Sequence, residues 1–226
     1  MTDLTMIEAF WRILPAALLV PFITFYLGRL GSYKDRKLKY RTFLDVDELV
    51  AKYRLENLPN LKNGTKLIIP KEHKSLEEEI NDQIKQRKYD SNNTLNYLKI
   101  SPLGESIITS GWLKVEMRST KEKEKWYLVC SLPIIKKDEE VYIPTDQIDK
   151  LNYEYYISEI KVKYQTQAGE KLLFKRSSRK NKKNETVVKD SHGVKKWNLF
   201  YYGIQNTNGS NAEWIFLNRD KESDKE

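Results

Sequence analysis

The sequence predicts a mainly β protein: an antiparallel sandwich or small barrel of about seven strands, carrying an N-terminal transmembrane helix and one or two short helices. Three observations lead there. Between Arg12 and Arg29 the chain runs 16 residues without a charge. Beyond Leu98 apolar and polar residues alternate with a period of two. Turn signals at Gln167–Glu170 and Asn206–Ser210 separate several of the alternating runs.

At 1.5 Å per residue the uncharged run reaches about 24 Å, short of the roughly 30 Å hydrocarbon core. Phe10 and Trp11 lengthen it, and Arg12 and Arg29 can carry their charges to the headgroups. Trp11 and Tyr26 stand where an aromatic belt forms. The anchor is therefore expected over residues 10–28, after a short tail at 1–9. The run has no polar face, unlike an interfacial helix. Asp3 and Glu8 before it, and Gly28-Arg29-Leu30 after it, do not suit a cleaved signal peptide.

A basic juxtamembrane segment at 29–41 follows, with Arg29, Lys34, Arg36, Lys37, Lys39 and Arg41 against Asp35. By the positive-inside rule the N-terminus lies outside and the bulk of the chain in the cytoplasm. Topology alone accounts for this cluster. The bias toward Lys, Asn, Ile and Tyr suggests an AT-rich, bacterial genome.

Residues 42–96 read as a helical spacer. Asp45 is the expected N-cap of a first helix, with Glu48 three residues on and Val46, Leu49, Val50 and Tyr53 on one stripe, stopped by Pro59. An extended piece spans Thr65–Pro70. Ser75-Leu-Glu-Glu78 is a capping box opening a second helix to about Lys88. Its stripe of Leu76, Ile80 and Ile84 is thin, which suits a surface helix.

The β domain is expected over 97–220, followed by a disordered tail at 221–226. Strands are predicted at Ile107–Met117, Trp126–Ile135, Val141–Ile143, Tyr156–Thr166, Leu172–Lys175, Trp197–Ile204 and Ala212–Leu217. Gly169 supplies a positive φ in one turn, and Asn208-Gly209 marks the other. Trp112, Trp126, Trp197 and Trp214 are expected to fill the core.

Charge is uneven along the chain. Residues 29–41 carry +5 of the formal +8, and Lys175, Arg176, Arg179, Lys180, Lys182 and Lys183 add a further +6, leaving the other residues slightly negative. The second cluster reads as an exposed loop running to about Gly193, a candidate for binding a polyanion such as anionic lipid or a nucleotide. No aromatic residue interleaves its charges, so specific nucleic-acid recognition is not expected.

Few residues suit catalysis. His73 and His192 lie in polar segments expected to be exposed, and Cys130 reads as a small core residue. The single cysteine excludes an intramolecular disulfide. Glu77–Glu79 and Asp138–Glu140 read as a helix start and a turn. No phosphate loop, dinucleotide fingerprint or metal-ligand spacing appears, so no catalytic, cofactor or metal residue is assigned. Tyr155-Tyr156 and Tyr201-Tyr202 must split across the two faces of a strand, which can leave one of each pair for recognition.

The expectation is a single-pass, membrane-anchored cytoplasmic binding module: an adaptor, sensor or subunit of a membrane complex. Its partners would be the lipid bilayer and either another protein or a second copy of itself. An alternative is a membrane effector that senses a small anionic or nucleotide ligand, in the layout of antiphage effectors. A third is an enzyme with carboxylate chemistry.

Overall fold

A computed structural model describes residues 16–55, 58, 61–86, 88, 94–120, 124–148, 154–180, 186–196 and 200–209. The expected strand Ala212–Leu217, Trp11, Arg12, Trp197, Trp214 and both tails lie outside these. Helix α1 spans Ala16–Lys39 and leads to β1 (Phe43–Lys52). After a 3-10 turn at Tyr53–Leu55 come β2 (Lys66–Leu67), α2 (Lys71–Lys85) and β3 (Thr94–Leu103). Then follow β4 (Ile108–Ser119), β5 (Lys125–Leu132), β6 (Val141–Pro144) and β7 (Tyr155–Thr166). The last three strands are β8 (Lys171–Lys180), β9 (Thr186–Lys196) and β10 (Phe200–Gly209).

The strands form two sheets, in the orders β1-β3-β6-β2 and β10-β9-β8-β7-β4-β5. All described pairings are antiparallel except β2 with β6. The mainly β reading therefore holds. The core lies between the sheets, where Leu44, Val46, Leu98 and Ile100 meet Leu113, Val115, Ile160 and Val162. A second cluster, with Leu76 and Ile80 of α2 against Ala51, Leu95 and Tyr97, covers the four-stranded sheet near the end of β1.

That double coverage explains why residues 42–52 resemble a helix. Leu44 and Val46 face the sandwich, whereas Leu49 and Ala51 face the α2 side. The apolar phase thus switches midway, and the 46–49–50–53 spacing imitates a helical stripe. Asp45 and Glu48 sit in a strand paired with β3, through Asp45 with Ser101 and Glu48 with Leu98. Because β3 crosses residue 96, the stretch 42–96 is not a separate helical spacer.

Other boundaries also change. α2 starts at Lys71, a turn before the expected capping box, with Pro70 as N-cap and no side-chain cap. Proline's fixed φ suits that entry. Asn208 and Gly209 pair with Lys189 and Val188 inside β10 rather than forming a turn. The Gln167–Glu170 turn does form, with Gly169 at φ 74°. The core is mostly aliphatic, with Phe174 and Tyr164 as its buried aromatics: Trp112 stays 37% exposed on the outer face of the larger sheet, and Trp126 only packs against the cluster's edge.

The expected transmembrane helix at 10–28 begins outside the described residues. Among those described, no helix is long and apolar enough to cross a membrane. The basic segment at 29–41 is helical for most of its length, since α1 continues through it to Lys39. Arg36, Lys37 and Lys39 in the last turn complement the helix dipole.

Only Tyr40, Arg41 and Thr42 separate α1 from β1. Arg41 donates to both carboxylate oxygens of Glu170, from Nε at 2.9 Å and Nη2 at 2.6 Å. Tyr164 Oη donates to the Thr42 carbonyl at 3.0 Å. Arg41 therefore has a structural partner in the β7–β8 turn, beyond any role in topology.

Leu98 is fully buried between the sheets. Leu98→Ala should lower unfolding stability by about 2–5 kcal/mol, read as a fall in the urea midpoint at unchanged slope.

Candidate functional site

Three regions hold the residues singled out above: α1, the β8–β9 hairpin, and a cleft where the sheets diverge. On α1 the apolar side chains point outward all round. Val20, Phe22, Ile23, Phe25 and Leu27 are each more than half exposed, as is Tyr26. Arg29, Lys34, Arg36 and Lys37 follow on the same helix, with Lys37 Nζ 4.3 Å from the Tyr33 ring centre.

The expected basic loop is a hairpin. Lys175, Arg176, Arg179 and Lys180 belong to β8, paired with β9, while Lys182 and Lys183 lie outside the described residues. Alternation fades here because both faces of this stretch are only partly covered. Arg176 points inward and grips Asp190 with two hydrogen bonds of 2.8 and 2.7 Å. Lys175 lies 2.9 Å from Glu159. Arg179 is exposed and lines a polar groove of about 600 Å³ with Arg118, Lys175, Ser158 and Ser177. The described basic residues therefore lie in a strand rather than a loop: Lys175 and Arg176 are bound to carboxylates and Arg179 opens onto a groove.

The cleft, about 530 Å³, is lined by Glu48, Val50, Asn96, Thr145 and Tyr155 among others. Asp146 is buried beside it. It accepts from the Asn96 amide nitrogen at 2.6 Å, Asn96 Nδ2 at 3.0 Å and Tyr155 Oη at 2.6 Å. Burial, then the nearby Asp146 charge, raises the Tyr155 phenol and keeps it protonated. This network rivets β3, β6 and β7 together.

Both histidines are buried, contrary to expectation. His73 Nδ1 donates to the Asp146 carbonyl at 2.6 Å, and burial depresses its pKa despite that bond. His192 lies between Phe43 and Phe174, with ring centres 4.9 and 5.2 Å away, and burial likewise favours its neutral form. Both were hidden because polar neighbours in sequence mask a long-range apolar setting. Cys130 packs against the core and burial pushes its thiol up to about 12, leaving it a poor nucleophile at neutral pH.

Glu140 is more than a turn residue. It is buried, lies 3.0 Å from Lys99 and 3.1 Å from Lys62, and accepts from Tyr142 Oη at 2.9 Å. Burial disfavours its charge, but the bonds from Lys99, Lys62 and Tyr142 outweigh that and hold its carboxyl below the usual range. Among the described residues no group of three His, Cys, Asp or Glu side chains could hold a metal ion. His73, His192, Cys130 and Glu140 are thus engaged in packing, hydrogen bonds or ion pairs, and the groove and the cleft are accessible polar features.

A depressed carboxylate contributes stability above its unfolded pKa, and loses that contribution as pH falls through the folded value. Glu140→Gln should cost about 1–3 kcal/mol at neutral pH. The gap between the two proteins in thermal unfolding should then close as pH drops below about 4. No protein-family model, curated protein or solved structure matches the chain.

Proposed function

We propose that this chain is a non-catalytic binding module held at the inner face of a bacterial cell membrane by the segment that contains α1. The observation that carries the reading is the outward apolar surface of α1, from Val20 to Leu30, which the β body does not cover. Such a surface is costly in water and calls for lipid or another apolar helix. The described part alone is not apolar enough to span. The uncharged run, however, begins in the sequence at Ile13, before the described part, and Trp11 precedes it. Arg29, Lys34, Arg36 and Lys37 at the opposite end favour a cytoplasmic body through the positive-inside bias.

Support for a binding role, in preference to catalysis, comes from the use of His73, His192, Cys130 and Glu140 in packing and ion pairs. An adaptor, a sensor and a complex subunit all fit this layout.

The full chain, expressed in a bacterium, should stay with membranes through alkaline carbonate extraction. Its β body should be digested by protease only in inside-out vesicles. Each charge at the centre of a span costs roughly 2.5–3.5 kcal/mol, so Leu19→Asp with Phe22→Asp should release the chain to the soluble fraction. Soluble wild-type protein, or digestion in right-side-out vesicles, would overturn the assignment.

A further inference from the structure

We propose that the outer face of the six-stranded sheet binds single-stranded nucleic acid without sequence preference. The face is defined by register. Trp112, Lys114, Glu116 and Arg118 of β4 alternate with the buried Leu113, Val115 and Met117, and so point away from the core. Their cross-strand partners share that side: Lys163, Lys161 and Glu159 on β7, then Lys175 and Ser177 on β8.

The charge on this face is one-sided. β4 brings Lys114 and Arg118, β5 brings Lys125, and β7 brings Lys161 and Lys163. Across β8 and β9 the same parity brings Lys171, Lys175, Arg179, Lys189 and Lys195. Against these ten cations the described residues place two carboxylates there, Glu116 and Glu159. Lys114, Lys161 and Lys175 stand directly opposite one another on three neighbouring strands. Like charges in that arrangement destabilise a sheet. Lys161 and Lys175 share the single Glu159, so the row is short of negative charge. A linear polyanion would supply it.

Two further features favour a nucleic acid strand over an anionic bilayer. Aromatic rings lie among the cations: Lys163 Nζ is 5.6 Å from the Trp112 ring centre, and Lys114 Nζ is 4.2 Å from that of Tyr127. Trp112 and Tyr201 flank an open hollow of about 260 Å³, with Lys163, Lys171 and Gln165 around it. Six residues along β4 from Trp112, about 20 Å away, Arg118 enters the groove of Arg179, Ser158 and Ser177. A stacking platform at one end, a lysine row between and a cation–hydroxyl groove at the other make a track for bases and phosphates. A bilayer contact has no use for such an ordered sequence of groups.

The test uses the full chain in detergent and fluorescence anisotropy of a labelled short oligothymidylate across a salt series. Binding should weaken linearly in log salt. Replacing Lys114, Lys163 and Arg179 together by Gln, one from each part of the track, should flatten that slope by about 2. Trp112→Ala should weaken binding about tenfold or more with the slope unchanged, and should matter less for a duplex of the same length. Each variant is first checked for wild-type thermal unfolding, and each substitution removes charge or exposed ring rather than core. Absence of binding at low salt, an unaltered slope in the triple variant, or equal loss from Trp112→Ala on single strand and duplex would overturn the proposal. So would a triple variant that keeps oligonucleotide binding but loses the preference for phosphatidylserine-containing over pure phosphatidylcholine vesicles. None of these readouts depends on whether α1 spans a membrane.

Discussion

The pairing of β4 with β7 and of β7 with β8 is the constraint on which the rest of the molecule depends. It sends Leu113, Val115, Ile160, Val162, Leu172 and Phe174 to one side, where the four-stranded sheet covers them. Because side chains alternate strictly, the same register sends Lys114, Lys161, Lys163 and Lys175 to the other side. A slip of one residue would expose the core and bury the lysines. Dry packing on one face therefore enforces the density of cations on the other. The irregularity between Glu116 and Met117 lets β4 and β7 twist without losing that division.

Polar residues inside the structure serve as fasteners. Asp146 draws β3, β6 and β7 together through Asn96 and Tyr155, and its backbone carbonyl accepts a hydrogen bond from His73 Nδ1 of α2. Arg176 and Asp190 brace β8 against β9 on the side toward β1, where the Asp47 and Glu48 charges also act on the arginine. Each group is buried or partly buried with partners, as the cost of an unpaired polar group demands. Where such groups are satisfied internally they hold the strands in place, while the cleft, the outside of the larger sheet and the helix stay exposed.

Much of the strand content was legible because β4, β5 and β7 have one drier and one wetter face, giving a period of two, while β6 is a short run buried on both faces. β1 was not, because its covered face changes from the sandwich side at Val46 to the α2 side at Leu49. β9, and the outer half of β8, were also unreadable, since Arg176, Ser178 and Asp190 occupy positions that apolar residues would mark nearer the centre. The basic run after Lys175 was visible, but as a string along the chain. Its real neighbours, Arg118, Ser158 and Glu159, come from other strands, so their shared groove could only emerge once the register was known. The burial of His73 and His192 escaped for the same reason.

The link between α1 and β1 has a geometric consequence. Three residues, Tyr40 to Thr42, can extend by no more than about 10 Å, and Arg41 is already bound to Glu170 in the β7–β8 turn. The leash is therefore about as long as the Debye length of roughly 8–10 Å under physiological salt. The charges of Arg36, Lys37 and Lys39 in the last turn of α1 therefore stay within electrostatic reach of the β7–β8 end of the larger sheet, whatever the rest of the helix contacts.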